Sequence, residues 1–241
     1  QSIAAAAHAL PRVSIEVAQR SAFTSLFGSI LILIPLAFAA ASYVTAHVRE
    51  RESGSKQMQL VSGVPVGLYW AASWSWDVLV YLSLTLLLMA TFLAMQDDAF
   101  TGDGETAAAT LLLLLLFGWA TLPLASLASF CFRSPSNALI AMIGFYFLTG
   151  FGFNIIDYVL SIFYWKGNIR EINRQLRSLY RLFPAYCLGQ GLFTMSTRNL
   201  QAIRAAVTGG GAGATGLYDW SLLGAPLAYL IGEAVVFCAL T

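Results

Sequence analysis

Three acidic residues stand inside or beside long apolar stretches of the sequence: Asp77, Asp157 and Glu233. A charge at the centre of a bilayer costs roughly 2.5–3.5 kcal/mol on insertion scales, so such residues usually face a partner or water. The pattern indicates a polar lining or an interhelical lock, of which the lock is favoured, while a proton relay is the rival interpretation. His8 and His47 are predicted to lie outside the spans, so no histidine-based site is expected.

Four arginines recur at helical spacing further along the chain: Arg170, Arg174, Arg177 and Arg181. Apolar residues at 169, 172, 176 and 179 follow nearly the same spacing, about 150° away around a helix. A helix with one basic and one apolar face, next to membrane spans, is typical of a lipid interface, where the arginines face phosphate headgroups. The alternative is an ordinary solvated helix packed on another domain.

Nothing in the sequence indicates catalysis. The cysteines are Cys131, Cys187 and Cys238, and no two of them are close enough to form a metal-binding motif. The glycine-rich stretch at 209–216 lacks the Gly-Lys-Ser/Thr ending of a phosphate-binding loop. A net charge of +1 argues against a nucleic-acid partner. We therefore expect no catalytic site, cofactor or metal in this chain.

The composition requires lipid as the solvent. Of the residues, 58% are hydrophobic and only 10% are charged, whereas roughly a quarter are charged in a soluble domain. A helix needs about 20 apolar residues to cross the hydrocarbon core. The uncharged runs predict an all-α, multi-pass transmembrane bundle with spans at about 21–48, 68–96, 106–132, 134–156 and 220–241.

Two further features concern topology. The uncharged run at 182–197 is too short for a span and contains Pro184, which favours a re-entrant or interfacial piece. The sequence starts without Met and stops inside an apolar run, so we expect a fragment of a longer polypeptide. Lysine and arginine counts alone do not decide the orientation, because most of them lie in one long segment.

Short motifs stand in a fixed order between residues 22 and 241. They are ERESGSKQMQLVSG at 50–63, Tyr69-Trp70 with Trp76-Asp77, GWATLPL at 118–124 with SFCF at 129–132, FPAYCLGQGL at 183–192, and EAVVF at 233–237. In this order they resemble the second transmembrane domain of an ABC transporter of the A subfamily, the type V, lipid exporter-like proteins.

The resemblance implies both a fold and a function. Residues 1–20 would end an extracellular segment, and 21–241 would be the transmembrane domain. That domain would have a cytoplasmic coupling helix at about 49–63 and a re-entrant exoplasmic hairpin at about 154–195. The chain would be the transmembrane half of an ATP-driven exporter of lipid or another amphiphile. Its partners would be the other transmembrane half of the same polypeptide, membrane lipid, and nucleotide-binding domains that bind ATP and Mg outside this chain.

The residues of the segment at 50–63 also fit a coupling role on physical grounds. A lever that transmits ATP-driven motion must present a polar surface to a soluble partner and keep an apolar tie to the spans. The polar surface would come from Glu50, Arg51, Glu52, Lys56 and Gln57, and the tie from Met58, Leu60 and Val61. Counting spans places this segment on the same side as Arg133 and the C-terminal end. The alternative is a merely solvated loop.

Two other classes of protein remain as alternatives. An ion-coupled secondary transporter or channel fragment should have broken helices with paired acidic or polar groups at the midplane. Only Asp77 and Glu233 are candidates for that role. A membrane enzyme would need His, Asp or Cys clustered at the interface, and the sequence shows no such cluster.

Overall fold

The computed structural model describes residues 11–95, 98–162, 167–208 and 218–241 of the chain. Within these ranges the secondary structure is helical, and no strand occurs. The helices are α1 (Pro11–Glu52), α2 (Ser55–Val61), α3 (Val66–Met95), α4 (Asp98–Thr101), α5 (Gly104–Ser129), α6 (Pro135–Tyr146), α7 (Phe153–Ile162), α8 (Gly167–Tyr180), α9 (Pro184–Thr208) and α10 (Ala225–Leu240). Two π-helical turns, Phe147–Gly152 and Trp220–Gly224, precede α7 and α10.

Five segments are long and apolar enough to cross a membrane, which confirms the predicted helical bundle. They are Leu31–Glu52, Val66–Met95, Gly104–Ser129, Pro135–Ser161 and Leu222–Leu240. The first belongs to a helix of 42 residues. At 1.5 Å per residue α1 is about 63 Å long, roughly twice the thickness of the hydrocarbon core. It therefore extends beyond the bilayer.

The helix α5 forms the centre of the bundle, where it packs against α1, α3, α9 and α10. Close packing depends on Gly118 of α5, since a Cβ there would lie 1.9 Å from Cε1 of the Tyr81 ring. The Tyr81 hydroxyl donates a 2.6 Å hydrogen bond to the carbonyl of Leu114. This bond fixes α3 against α5, and α3 is the helix that carries Asp77.

The segment from α6 to α7 changes its winding at the π-helical turn Phe147–Gly152. A Cβ on Gly150 in this turn would lie 3.2 Å from the Cβ of Ala185 in α9. The side chain of Asn154, just after the turn, donates a 2.6 Å hydrogen bond to the Gly150 carbonyl. Such turns are local insertions that occur frequently at functional sites. Here the turn lets the start of α9 pack directly on the fourth span.

The helices α7 and α8 run antiparallel. Phe153 stacks on Tyr180 with ring centroids 4.6 Å apart, and Asp157 contacts Arg177. The helix α9 has 25 residues, more than the uncharged run at 182–197 indicates, because it continues past Arg198 into polar sequence. That α7–α9 form a re-entrant hairpin stays a prediction.

One end of the bundle, which we call the α2 end, gathers α2, the turn at Phe132–Arg133 and Thr241. The Arg51 guanidinium donates to the Phe132 carbonyl, and Thr241 and His47 line one cavity. The structure thus agrees with the span count, which places these three parts of the chain on one side. The glycine-rich stretch at 209–216 and the segment 1–10 lie outside the described residues.

Candidate functional site

The α2 end begins where α1 stops and a short helix follows. Gly54 adopts φ of 70° and Gly63 adopts φ of 97°, which are left-handed conformations that glycine takes at no steric cost. Between them α2 has seven residues, from Ser55 to Val61. The chain therefore leaves α1, makes one short helix and re-enters the bundle as α3.

Polar side chains hold this connection to the spans. The Tyr69 hydroxyl donates a 2.7 Å hydrogen bond to Oε2 of Glu50. The Lys56 ammonium lies 4.2 Å from the ring centroid of Trp70 and 5.2 Å from that of Tyr69, within the range of cation–π attraction. Burial is the main cause that lowers the pKa of Lys56; Arg51 lowers it further and Glu50 opposes the shift. Glu50 and Lys56 thus bind α3 at its first turn.

The exposed face of α2 is apolar as well as polar. Met58 is 73% exposed and Val61 is 87% exposed, and Glu52 and Gln57 are also exposed. The prediction that Met58 and Val61 tie the segment to the spans is therefore wrong. The contacts at the start of α3 and after the end of α5 are made instead by charged side chains. Lys56 lies over Trp70, and Arg51 donates to the Phe132 carbonyl. The face that remains free to meet a partner is formed by Glu52, Gln57, Met58 and Val61, which we call the α2 face.

A histidine–aspartate contact lies next to this segment. Nε2 of His47 is 3.0 Å from Oδ2 of Asp77, and the two side chains are 10% and 9% exposed. The distance is that of an ion pair, but the contact lacks the alignment of a hydrogen bond, so Nε2 has no such partner among the described residues. His47 lies inside the first span. The expectation that it lies outside the spans is wrong.

Asp77 and His47 line a cavity of about 400 Å³ at the α2 end. Trp70, Trp74 and Thr241 also line it. A signal for this contact was present in the sequence. Consecutive spans run antiparallel, so the end of α1 must lie beside the start of α3.

Asp157 forms the interhelical lock that was the favoured interpretation. Its carboxylate accepts three hydrogen bonds from Arg177 of α8, at 3.0 Å from Nε and at 2.8 and 3.1 Å from Nη2. Two-pronged arginine–carboxylate contacts of this kind are strong and geometrically specific. At least one arginine of the stripe, Arg177, therefore binds α7 within the protein.

The other arginines of the stripe differ in their surroundings. Nε of Arg181 donates a 3.1 Å hydrogen bond to Oε1 of Gln190, and the guanidinium lies 5.9 Å from the ring centroid of Tyr229. Arg174 is exposed, while the side chain of Arg170 lies outside the described part of the chain. That the stripe contacts lipid headgroups stays a prediction, and Arg177 and Arg181 have partners inside the protein.

Glu233 has no partner of this kind. It is 8% exposed, and neither carboxylate oxygen has a hydrogen-bond partner among the described residues. It lines a second cavity, of about 560 Å³, between α10 and the start of the α8–α9 turn. The lock proposed for the acidic residues thus exists for Asp157 but not for Glu233. In the described residues no three His, Cys, Asp or Glu side chains come together as a metal site.

The fold and these contacts define an integral, multi-pass membrane protein. At one end of its bundle, the short helix α2 connects two spans. Residues 5–241 match the family described as ABC-2 family transporter protein, and the chain belongs to this family. Family membership favours a transporter over the membrane-enzyme and ion-coupled alternatives.

Curated relatives agree with this assignment. The chain is 33% identical over 218 residues to the retinal-specific phospholipid-transporting ATPase ABCA4 of Bos taurus, covering 88% of this chain and 9% of that protein. It is 34% identical over 167 residues to the phospholipid-transporting ATPase ABCA7 of Homo sapiens, covering 69% and 8%. It is 37% identical over 161 residues to the phospholipid-transporting ATPase ABCA3 of Rattus norvegicus, covering 67% and 9%. The chain thus spans about a tenth of the length of these relatives. It is homologous to membrane regions of the A subfamily, as its motifs predict.

Proposed function

We propose that this chain is the transmembrane half of an ATP-driven exporter that moves phospholipid or a similar amphiphile across the bilayer. ATP and Mg would bind nucleotide-binding domains outside the chain. The other transmembrane half of the same polypeptide would complete the pathway. The names of the relatives, which are phospholipid-transporting ATPases, support the substrate class.

The α2 face is the observation that carries the mechanism. It lies on and beside the seven-residue helix that joins two spans. Glu50 holds the end of α1 against Tyr69 at the start of α3, and Lys56 holds α2 against Trp70 of the same helix. A force on the α2 face therefore reaches α1 and α3 together. Its mixed surface, with Met58 and Val61 exposed between polar residues, suits a soluble protein partner, since apolar anchors inside a polar rim are typical of interfaces.

The test is a charge change on the α2 face. In the variant Met58→Glu, Val61→Glu, two exposed apolar anchors become acidic. The substitutions should leave membrane insertion intact, because both side chains are exposed and helix α2 buries none of its residues. Phospholipid-stimulated ATPase activity of the complete purified transporter, in lipid vesicles, should fall about tenfold, the effect of losing one interface anchor.

The matched control is Ser53→Asp, Ser62→Asp. It adds the same charge just outside the two ends of α2, at exposed serines that do not belong to the α2 face, and it keeps Met58 and Val61. ATPase stimulation should stay near that of the unmodified protein. Full stimulation in the Met58/Val61 variant would remove the α2 face from the mechanism.

A further inference from the structure

The cavity beside α10 combines an apolar wall with one buried acid. Its volume is about 560 Å³, and Leu182, Trp220, Tyr229, Val236 and Phe237 line it together with Glu233. Trp220 is 66% exposed and Val236 is 53% exposed, so the cavity opens at the surface of the bundle. A buried carboxylate without a partner is costly in an apolar environment. Its presence here indicates that something else supplies the missing contact.

Arg181, which lies over the ring of Tyr229 in the cavity wall, does not supply this contact. The Arg181 guanidinium is next to the cavity, but it donates to Gln190 and lies over the Tyr229 ring. No ion pair joins Glu233 to a basic side chain in the described ranges. Both carboxyl oxygens of Glu233 are therefore left to be satisfied from outside the described fold.

The walls suit a particular kind of ligand. Tyr229 and Glu233 are four residues apart and share one face of α10, so a ring and a carboxylate meet at the same point. An ammonium group binds both a carboxylate and an aromatic face. Leu182, Val236 and Phe237 offer apolar surface beside that point. A hydrocarbon chain attached to the ammonium group would lie along these side chains.

We propose that this cavity binds the ammonium end of a membrane amphiphile through Glu233 and Tyr229, with the hydrocarbon chain against Leu182, Val236 and Phe237. The inference deepens the proposed function, on which it rests for the idea that amphiphiles are substrates. The same ammonium chemistry occurs in zwitterionic phospholipids and in long-chain amines. Glu233 is a binding residue in this proposal and takes no part in ATP hydrolysis.

The experiment measures equilibrium binding without ATP. Acyl-chain-labelled phosphatidylethanolamine is titrated into the purified protein in detergent micelles and followed by fluorescence polarisation. Labelled phosphatidylglycerol, which lacks an ammonium group, serves as the comparison lipid. The unmodified protein should bind the ethanolamine lipid about tenfold more tightly, the effect of one charge-assisted hydrogen bond. In Glu233→Gln the two affinities should become equal.

Two further variants keep the test decisive. Glu105→Gln removes an exposed glutamate at the start of α5 and should leave the preference unchanged. If Glu233→Gln does not fold, Tyr229→Leu removes the ring and should reduce the preference for the ethanolamine lipid by itself.

Competition with unlabelled phosphatidylcholine and with sphingosine separates the two sources of ammonium. Stronger competition by phosphatidylcholine identifies the ligand as a zwitterionic phospholipid, and stronger competition by sphingosine identifies it as a long-chain amine.

Equal binding of both lipids by the unmodified protein would overturn the proposal. An unchanged preference in Glu233→Gln would overturn it too. If that variant also lost thermal stability, the result would mean that Glu233 forms an ion pair with a basic side chain elsewhere in the polypeptide. Lipid export is tested separately, because ATPase activity that ignores phospholipid would refute export while leaving this binding result intact.

Discussion

The pair of helices α7 and α8 and the cavity beside α10 each contain an acid with little exposed surface, but the surroundings of the two acids differ: the Asp157 side chain is 14% exposed and Glu233 is 8% exposed. Asp157 accepts three hydrogen bonds from Arg177, whereas Glu233 has none within the described part of the chain. Both acids lie within candidate spans, so their position in the bundle does not distinguish their roles. What distinguishes them is whether a basic side chain lies within hydrogen-bond distance. An acid with a local partner stabilises the fold, and an acid without one is available to a ligand.

The largest expected effect comes from breaking the paired region. Arg177→Ala leaves Asp157 without its partner, and the side chains in the contact are 36% and 14% exposed. The expected loss is about 2 kcal/mol of unfolding free energy, between the values for exposed and for buried pairs. Chemical denaturation in micelles measures it. Arg133→Ala, at an exposed turn residue, is the control and should change stability by less than about 0.5 kcal/mol. Equal effects of the two substitutions would show that α7 and α8 are not locked by charge.

A smaller loss is expected at His47 and Asp77, where the contact is close but poorly aligned. Asp77→Asn keeps the shape of the side chain and removes the charge, and should cost about 1 kcal/mol. A double-mutant cycle with His47→Ala measures how far the two side chains interact. Strictly additive losses would mean that the 3.0 Å contact contributes nothing. Asp77 would then join Glu233 as an unpaired acid.

The smallest effect on unfolding free energy is expected for Glu233→Gln, which should leave the protein equally stable or make it slightly more stable. Glu233→Gln replaces a buried carboxyl group that has no hydrogen-bond partner in the described structure, so unfolding free energy should stay constant or rise by up to about 1 kcal/mol. The same denaturation assay applies. A loss as large as that of Arg177→Ala would erase the contrast between the two regions, because it would reveal a partner for Glu233 elsewhere in the protein.

The sequence predicts the bundle well because hydrocarbon thickness fixes span length, and charge-free runs of that length are visible directly. The break between α1 and α2 falls at Gly54, since few other residues adopt that backbone conformation without strain. The sequence does not predict which face of each helix meets which neighbour. The three acids therefore look alike in sequence, and the contact between His47 and Asp77 escapes notice.

The composition of α2 gives the wrong exposure for a related reason. Apolar residues usually pack inward, so the sequence predicts that Met58 and Val61 tie the segment to the spans. A helix of seven residues between two left-handed glycines has little surface to bury. The basic and acidic side chains reach further and take the available partners. Length and tertiary position decided the outcome, and neither can be read from residue type.

The lock between α7 and α8 also has a consequence for synthesis. Asp157 and Arg177 are only 20 residues apart in the chain. At a translation rate of about 5–20 residues per second, the arginine follows the aspartate within about 1–4 s. The acid can thus find its counter-ion while the ribosome is still producing α9 and α10, before the rest of the bundle exists. Substitutions in this pair should therefore appear in cells first as poor membrane insertion and early degradation.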